Sequence, residues 1–587
     1  MQLRKLTLIV SALTLVTGEA TFAQTEGWTP EMMMQVKRVA GVRPSPDGNR
    51  VVFTVGLPNM RSDTSEWVSQ IWVANADGSN ALQLTRGARS ATAPDWSPDG
   101  QSIAFLAGRA GSNQVYRIPL SGGEAEQITE QKGGVSAFRF SPDGKWIAYT
   151  ATDPKTDEQE KEAKEKRDAW VVDEDFQLAR LYVTPAQPDR DGKRAARRLN
   201  TGDVHVMGFT WSPSSNSIAF THAPTPLVFE NTDISAIDVS TGSITKIATT
   251  RAQETSPLYA PDGRTLAFVA SDDPPTWGFT AHVYVVPATS GKPRKLYQTF
   301  DEQPGLTAWS SDGKQIYFNE THGTIGRLAA LPVDGGAPVL ISSLDFNINS
   351  ATINPSATTV AMTSQWSDRP PEVFISRLDR FVPRQVSRVQ QLPSAPLGRT
   401  TALRWKSDGR EIEGLLTYPV GYTAGQRVPL LVIVHGGPAG VFTQSFIGAP
   451  GPYPIATFAS RGYAVLRVNP RGSSGYGRDF RYANYRDWGG GDYRDIMTGV
   501  DHVIGLGVAD SARLGIMGWS YGGYMTSWVI TQTKRFKAAS VGAGVTNLMS
   551  FTGTADIPGF IPDYMGGEYW DNFDTWRTRS AMFNIKG

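Results

Sequence analysis

The sequence has 587 residues, enough for more than one domain, and 40% of them are hydrophobic, so large hydrophobic cores can form. Its 57 basic residues nearly balance its 56 acidic ones, which gives no indication of binding to nucleic acid or to an anionic membrane surface. The chain contains no cysteine, which excludes a disulfide framework, a thiolate metal site and a cysteine nucleophile.

The first 23 residues are predicted to be a secretory signal peptide. Arg4 and Lys5 precede an apolar run from Leu6 to Val16, and small residues follow up to Ala23, which is the pattern of such a signal. The apolar run is too short to span a bilayer. A helix of the folded core is the alternative. We therefore expect a periplasmic or secreted protein, cleaved after Ala23, with no membrane span.

The segment 24–395 is predicted to contain a short helix and then a repeat. The helix is expected from Thr29 to about Val39, because threonine is a good N-cap and Pro30 suits a first turn. Each copy of the repeat has an aromatic or apolar residue, a turn related to Ser-Pro-Asp-Gly, and a strand with alternating apolar residues. The copies start at Pro44, Trp96, Phe140, Trp211, Tyr259, Trp309 and Ile353.

This repeat predicts a β-propeller with seven blades. Asp-Gly between two alternating segments is a strong hairpin signal. Hairpin units that recur about every 40 to 50 residues are typical of propellers, whose blades bury their faces against one another. The aromatic residue before each turn is interpreted as packing between neighbouring blades rather than as binding a ligand.

One spacing between copies is longer than the others and indicates an insertion at about 153–180. It contains a run of mixed charge from Lys155, and such runs usually form a solvated excursion, here with helical character. The alternative is a flap over a central cavity, with Asp173, Glu174 or Asp175 facing a substrate.

Residues 396–587 are predicted to form a second domain. A two-stranded hairpin at 399–418 is followed by apolar strands that alternate with helices. The strands are predicted at 429–434, 463–469, 514–517 and 537–541, and the helices near 453–460, 493–506 and 521–532. Such alternation predicts a mostly parallel sheet with helices on both faces. Sites on such sheets lie at the carboxyl ends of the central strands.

The principal candidate for chemistry is Ser520. It stands between a predicted strand and a predicted helix, with Gly518 and Gly522 on either side, as in the nucleophile elbow of α/β-hydrolases. Side chains at 518 and 522 would collide with neighbouring backbone in so tight a turn, and the N-terminus of the following helix favours developing negative charge. From this pentapeptide alone, a serine that only caps the helix is an equally good interpretation.

A second glycine motif, His-Gly-Gly-Pro at 435–438, follows directly on the strand predicted at 429–434. In α/β-hydrolases such a loop supplies one oxyanion donor, and the N–H after the nucleophile supplies the other. We therefore predict an oxyanion hole formed by the backbone N–H groups of Gly437 and Tyr521. His435 is interpreted as shaping the loop, because the hydrolase order places the catalytic histidine after the serine.

Three motifs that follow the predicted propeller in the sequence resemble those of the prolyl oligopeptidase family of serine peptidases. They are HGGP at 435–438, NPRGSSGYG at 469–477 and GWSYGGYM at 518–525, and they are most similar to the acylaminoacyl-peptidase and dipeptidyl-peptidase V branch. The resemblance implies attack of Ser520 on a peptide carbonyl without cofactor or metal, and a propeller that restricts access to short peptides. It leaves the side-chain preference and the oligomeric state open.

The chain departs from the family in its histidines. All six, at 205, 222, 282, 322, 435 and 502, precede Ser520, whereas the family places the catalytic aspartate and histidine on later loops than Asp556, Asp563, Asp571 or Asp574. We therefore expect a C-terminally truncated chain whose catalytic acid and base lie beyond residue 587. Such a chain alone is expected to be inactive, because a serine without a base is a poor nucleophile.

Two other functions remain open at this point. A propeller binding protein with a degenerate hydrolase domain would also explain the missing histidine. An esterase would use the same acyl-transfer machinery as a peptidase.

Overall fold

The computed structural model of this chain describes residues 27–586, except residues 110, 168, 170–173, 175 and 228–230. The predicted signal peptide at 1–23 lies outside the described residues, as do Asp173 and Asp175 of the predicted flap. No helix in the described ranges is both long enough and apolar enough to cross a membrane.

In the described residues, seven four-stranded antiparallel sheets succeed one another and form the blades of a β-propeller, which confirms the predicted architecture. Blades 1 and 2 consist of β1 (Arg38–Pro44), β2 (Arg50–Met60), β3 (Ser65–Asn75), β4 (Leu82–Gln83), β5 (Ala91–Trp96), β6 (Ser102–Ala107), β7 (Gln114–Pro119) and β8 (Glu126–Gln127). Blades 3 and 4 consist of β9 (Val135–Phe140), β10 (Trp146–Thr152), β11 (Ala179–Pro185), β12 (Arg197–Arg198), β13 (His205–Trp211), β14 (Ser217–Ala223), β15 (Asp233–Asp238) and β16 (Ile244–Ala248).

The remaining blades follow the same plan. Blade 5 consists of β17 (Glu254–Tyr259), β18 (Thr265–Ser271), β19 (Ala281–Pro287) and β20 (Arg294–Lys295). Blades 6 and 7 consist of β21 (Gly305–Trp309), β22 (Gln315–His322), β23 (Ile325–Pro332), β24 (Val339–Leu340), β25 (Ile348–Ile353), β26 (Thr359–Trp366), β27 (Arg369–Arg377) and β28 (Arg384–Gln385). Because each blade uses only consecutive strands, the ring closes by packing of β1 against β25, β26 and β27.

The Ser-Pro-Asp-Gly segment forms the turn between the first and second strands of a blade. In blade 2 the hydroxyl of Ser97 donates to Asp99 (2.5 Å) and accepts from the backbone N–H of Ser102 (3.0 Å). Gly100 has a φ of +68°, a conformation that favours glycine. The motif therefore closes this hairpin with its own side chains.

The aromatic residue before the turn packs between blades, as predicted. The tryptophans at this position are buried in clusters that combine residues of adjacent blades. Their indole N–H groups donate to carbonyls on the first strand of a preceding blade: Trp96 to Arg43 (3.1 Å), Trp211 to Arg139 (3.3 Å) and Trp309 to Leu258 (2.9 Å).

The insertion in blade 3 contains a helix, α2 (Asp157–Lys164), between β10 and β11. Thr156 caps it through a capping box, and none of its residues is buried. Glu174 is exposed as well. From residue 154 to residue 174, the described part of the insertion is thus a solvated excursion.

The N-terminal helix α1 (Pro30–Met34) is shorter than predicted. Thr29 caps it and Pro30 occupies its first turn, as predicted, but β1 begins at Arg38 because residues 38–44 pair with β2. The flanking residues Trp28 and Val36 pack against Ile433 of the second domain. The segment before the propeller therefore contacts the α/β domain.

The α/β domain follows the predicted alternation. Its elements are β29 (Thr400–Ser407), β30 (Arg410–Thr417), β31 (Val428–Val434), α3 (Ile455–Ser460), β32 (Ala464–Asn469), α4 (Arg478–Arg481), α5 (Gly491–Gly505), β33 (Ala509–Trp519), α6 (Tyr521–Gln532), β34 (Phe536–Gly542), α7 (Leu548–Thr554), α8 (Phe560–Met565) and α9 (Phe573–Arg579), with a 3₁₀ turn at Ala581–Asn584.

The sheet of this domain has the strand order β29-β30-β32-β31-β33-β34 in the described residues. β29 and β30 form an antiparallel hairpin, and β32, β31, β33 and β34 run parallel, as an α/β-hydrolase fold requires. β33 starts five residues earlier than predicted, because Ala509 pairs with Val428. It lies next to the edge of the described sheet rather than at its centre, since only β34 lies beyond it.

Candidate active site

Ser520 lies on a sharp turn between β33 and α6. Its backbone has φ +61° and ψ −122°, a left-handed conformation that L-residues rarely adopt and that is often found at functional sites. A Cβ at Gly518 would collide with the carbonyl oxygen of Gly522, and one at Gly522 would collide with that of Val434. Glycine at both positions lets the chain turn from strand to helix at one residue.

The backbone of the turn is held in place, whereas the Ser520 hydroxyl is exposed. The N–H of Ser520 donates to the carbonyl of Gly542 (3.0 Å), and the N–H of Trp519 donates to the Tyr453 hydroxyl (2.9 Å). The Ser520 side chain faces solvent, and Oγ makes no hydrogen bond within the described part of the chain. The Ser520 hydroxyl is therefore accessible from solvent and does not cap the helix.

The loop at 435–438 follows β31 and lies against Ser520. A Cβ at Gly436 would be 3.4 Å from Cβ and 4.0 Å from Oγ of Ser520. Gly437 has a φ of +126°. Among the described residues, neither its N–H nor that of Tyr521 has a hydrogen-bond partner. Two unpaired amide donors therefore belong to the loop and the turn that meet at this serine.

His435 is a buried structural residue. Its Nδ1 lies 2.8 Å from the carbonyl oxygen of Gly436, and its Nε2 lies 2.8 Å from the Ser473 hydroxyl. Burial lowers the pKa of His435 to about 4, so the ring is neutral at physiological pH. None of the six histidines, all of which lie in the described ranges, is hydrogen-bonded to Ser520.

The NPRGSSGYG motif supports the segment that follows the loop at 435–438. The Ser474 hydroxyl donates to the carbonyl of Ala439 (2.7 Å), and the N–H of Phe442 donates to Asn469 (2.8 Å). Arg471 forms two hydrogen bonds to the buried carboxylate of Asp495, at 2.9 and 2.7 Å, which hold the motif against α5. These supporting contacts join residues 24 to 35 positions apart and carry no local signal in the sequence.

A buried carboxylate fixes the side chain of Tyr521. The Tyr521 hydroxyl donates to Asp492 (2.5 Å), and the N–H of Tyr493 donates to the other carboxylate oxygen (2.8 Å). Burial raises the pKa of Asp492 to about 7 because it disfavours the charged form. The Tyr521 ring also packs edge-on against Trp488, with centroids 5.0 Å apart. Sequence reasoning missed Asp492, whose only signal is its place in the first turn of α5.

The described residues contain no group of three or more histidine, aspartate or glutamate side chains placed to hold a metal ion. The arrangement around Ser520 consists of an exposed hydroxyl, a helix N-terminus and two amide donors. These groups suit the stabilisation of an oxyanion formed by attack on a carbonyl.

Comparisons with known proteins agree with the two-domain fold. The TolB beta propeller domain family matches residues 34–177 and 159–396, and the prolyl oligopeptidase family matches residues 453–587. Dipeptidyl-peptidase 5 of Porphyromonas gingivalis is 26% identical, over 94% of this chain and 84% of its own length. An uncharacterized peptidase of Bacillus subtilis, YuxL, is 26% identical, over 89% and 82%.

Solved structures share the fold. The acylaminoacyl peptidase of Pyrococcus horikoshii has a TM-score of 0.75 at 20% identity, covering 95% of this chain and 85% of its own. A propeller that precedes an α/β-hydrolase domain is thus common to both. The match of residues 453–587 places the α/β domain in the prolyl oligopeptidase family, and the chain is a serine-type peptidase.

Proposed function

We propose that Ser520 is the nucleophile of this peptidase, and that the N–H groups of Gly437 and Tyr521 form its oxyanion hole. The observation that carries the proposal is the meeting of an exposed, unbonded hydroxyl on a strained turn with a loop whose amide is unpaired. Gly518 and Gly522 are the elbow residues that make the turn possible.

In the proposed reaction, Oγ of Ser520 attacks the carbonyl carbon of the scissile peptide bond while a general base takes the hydroxyl proton. The carbonyl oxygen becomes an oxyanion that accepts hydrogen bonds from both amides. Collapse breaks the C–N bond, the leaving amine takes the proton, and water then hydrolyses the acyl-enzyme. In the described residues no histidine is hydrogen-bonded to Ser520, so the base is not assigned to any of the six.

The proposed substrates are short peptides, cleaved in the manner of an acylaminoacyl- or dipeptidyl-peptidase. The propeller lies close over the loops of the site, because the N–H of Gly323 donates to Gly475 (2.6 Å) and the N–H of Gln444 donates to Thr324 (2.9 Å). A folded protein would not enter so close a junction. The names of the relatives, a dipeptidyl-peptidase and an acylaminoacyl peptidase, point to the same substrate class.

The test compares peptide and ester hydrolysis by the enzyme expressed from its native gene. Dipeptidyl anilides, acylaminoacyl anilides and simple acyl esters are offered to the enzyme, to Ser520→Ala and to the control Ser550→Ala, whose exposed serine lies on α7. We expect cleavage of an anilide that Ser520→Ala loses and Ser550→Ala keeps. Cleavage of esters alone would favour an esterase, and peptide binding without any cleavage would favour a binding protein.

Export also belongs to this proposal, because residues 1–23 have the pattern of a signal peptide. N-terminal sequencing of the protein recovered from the periplasm or medium is expected to begin at Gln24. Recovery of the protein only from the cytoplasm, with Met1 retained, would contradict the proposed export.

A further inference from the structure

Arg467 is a buried arginine on β32, in the middle of the sheet of the α/β domain. It is 3% exposed, and its neighbours on the adjacent strands are Leu415 of β30 and Ile433 of β31. The carbon at the centre of its guanidinium group lies 6.0 Å from the centre of the Phe442 ring. Arg467 is therefore enclosed between the sheet and the segment that follows the loop at 435–438.

The guanidinium group of Arg467 has two buried donors without acceptors. Within the described residues, neither Nε nor Nη2 makes a hydrogen bond. These two N–H groups point to the same side of the planar guanidinium, where an arginine can hold one anionic group by two parallel hydrogen bonds. Arg471 uses the same two nitrogens to hold Asp495, at 2.9 and 2.7 Å. Arg467 has this pair of donors but no carboxylate.

The positive charge of Arg467 is not balanced by any described residue. Burial alone lowers its pKa to about 10, with no contribution from a carboxylate, so the group is charged at neutral pH. The Phe442 ring lies at the outer limit of a cation–π contact, about 6 Å. The other buried arginines in the described ranges do have partners: Arg180, Arg471 and Arg481 pair with aspartates, and Arg327 donates to two backbone carbonyls.

We propose that Arg467 binds a small monovalent anion of the halide class through its Nε–H and Nη2–H groups. Burial of a charge without a partner is strongly unfavourable. A water molecule would accept the hydrogen bonds but leave the charge unbalanced, whereas an anion does both. One positive charge calls for one negative charge, and a side chain that is 3% exposed admits only a small anion.

The proposed anion would stabilise the fold next to the loop at 435–438. The Phe442 ring that covers Arg467 packs edge-on against His435, with centroids 5.3 Å apart. A ligand that binds only the folded state raises the melting temperature as its concentration rises. Anion binding should therefore be measurable as thermal stability, and this measurement does not depend on the role of Ser520.

The test compares the melting temperature of the enzyme, expressed from its native gene, in sodium chloride and in sodium gluconate after exhaustive dialysis. Both salts are used at the same ionic strength, which makes the general screening of charges equal, and gluconate is too large for so enclosed a site. Arg467→Met removes the charge and keeps a long apolar side chain. The matched control is Arg380→Met, at an exposed position after β27.

We expect wild type and Arg380→Met to melt about 2 °C or more higher in chloride than in gluconate. Arg467→Met should melt at the same temperature in both salts. This variant should fold, because replacing a buried charge by an apolar side chain is often neutral or stabilising. An equal response to chloride in Arg467→Met, or no response in wild type, would overturn the proposal.

A second measurement locates the anion without any variant. Crystals of the enzyme grown in sodium bromide are measured at a wavelength at which bromide scatters anomalously. We expect an anomalous peak within hydrogen-bond distance of Nε and Nη2 of Arg467. Density without anomalous signal at this position, or bromide peaks only on the protein surface, would overturn the proposal.

Discussion

Gly522 illustrates how strongly the site depends on single residues. A Cβ at this position would collide with the carbonyl oxygen of Val434, which belongs to the strand that leads into the proposed oxyanion loop at 435–438. Gly522→Ala should therefore abolish activity and destabilise the domain by about 1 to 3 kcal/mol, as overpacking does. The control is Gly553→Ala on α7, where a Cβ meets nothing within 4 Å. Equal activity of the two variants would contradict the elbow geometry.

Asp492 gives a prediction for the dependence of stability on pH. Its pKa is about 7 in the folded protein, against an ordinary value of 3.8, so between these values the folded state holds a proton that the unfolded state releases. The carboxyl therefore makes stability fall as pH rises through this window, by at most about 1.4 kcal/mol per pH unit. Asparagine has no ionisable group, so the Asp492→Asn variant does not lose stability in this way as the pH rises.

The measurement compares the melting temperatures of wild type and Asp492→Asn from pH 4 to pH 8. The melting temperature of the variant should rise relative to that of wild type as the pH increases from about 4 to about 7. Above pH 7 the difference between the two should stay constant. Parallel curves over the whole range would show that Asp492 titrates normally and is not buried as described.

The residues that define the turn were predictable, but their supports were not. Gly518, Gly522 and the order of strand, serine and helix are local, because the backbone constraint acts within a few residues. Asp492 lies 29 positions from Tyr521, and Ser474 lies 35 positions from Ala439. Such contacts exist only once the sheet has brought the segments together.

Three blades have a tryptophan before the turn, at 96, 211 and 309, and this side chain packs against a neighbouring blade. Trp309 is 6% exposed, and its indole N–H donates to the carbonyl of Leu258. Trp309→Phe removes that hydrogen bond and should cost about 0.5 to 1.5 kcal/mol, whereas Trp309→Ala also opens a cavity and should cost about 3 to 5 kcal/mol. Denaturant unfolding measures both. Trp570→Phe, at a position 66% exposed, should change little, and an equal loss there would contradict the packing role.

The bounds of helices and strands were predictable where the local sequence pattern agrees with the strand pairing in the fold. The helix at 521–532 has the predicted bounds, because the elbow sets its start. The helix from Thr29 ended early, because pairing with β2 draws residues 38–44 into a strand. The same competition lengthened β33, whose first residues pair with β31. Pairing between distant strands decides where such elements begin and end, and the propensities of the local residues do not reveal this pairing.

The two domains are joined by a buried ion pair. Arg481 of α4 and Asp301 of the propeller lie 3.2 Å apart with side-chain exposures of 0% and 1%, and Arg481 also donates to the carbonyl of Gly278 (2.6 Å). Arg481→Met leaves a buried, unpaired carboxylate and should destabilise the protein by about 3 to 5 kcal/mol. Thermal unfolding measures the loss, which the second substitution Asp301→Asn should partly restore.

The control for this prediction is Arg577→Met, whose partner Asp574 is 88% exposed. An exposed pair contributes about 0 to 1 kcal/mol, so the melting temperature should hardly change. A similar small change for Arg481→Met would mean that the domains are not held together by this pair.

At the scale of the whole molecule, the repeats and motifs predicted both domains, because each is built from local units. The contacts between the domains were not predictable. Arg481 and Trp277 reach partners about 180 to 290 positions away, and such contacts form only when both domains dock.

The proposed peptidase mechanism depends most on the identity of the nucleophile. The enzyme expressed from its native gene is treated with a fluorophosphonate and digested, and the modified residue is located by mass spectrometry. We predict a single adduct on the peptide that contains Ser520, lost in Ser520→Ala and kept in Ser550→Ala. An adduct on another serine, or equal labelling of Ser520→Ala, would contradict the assignment.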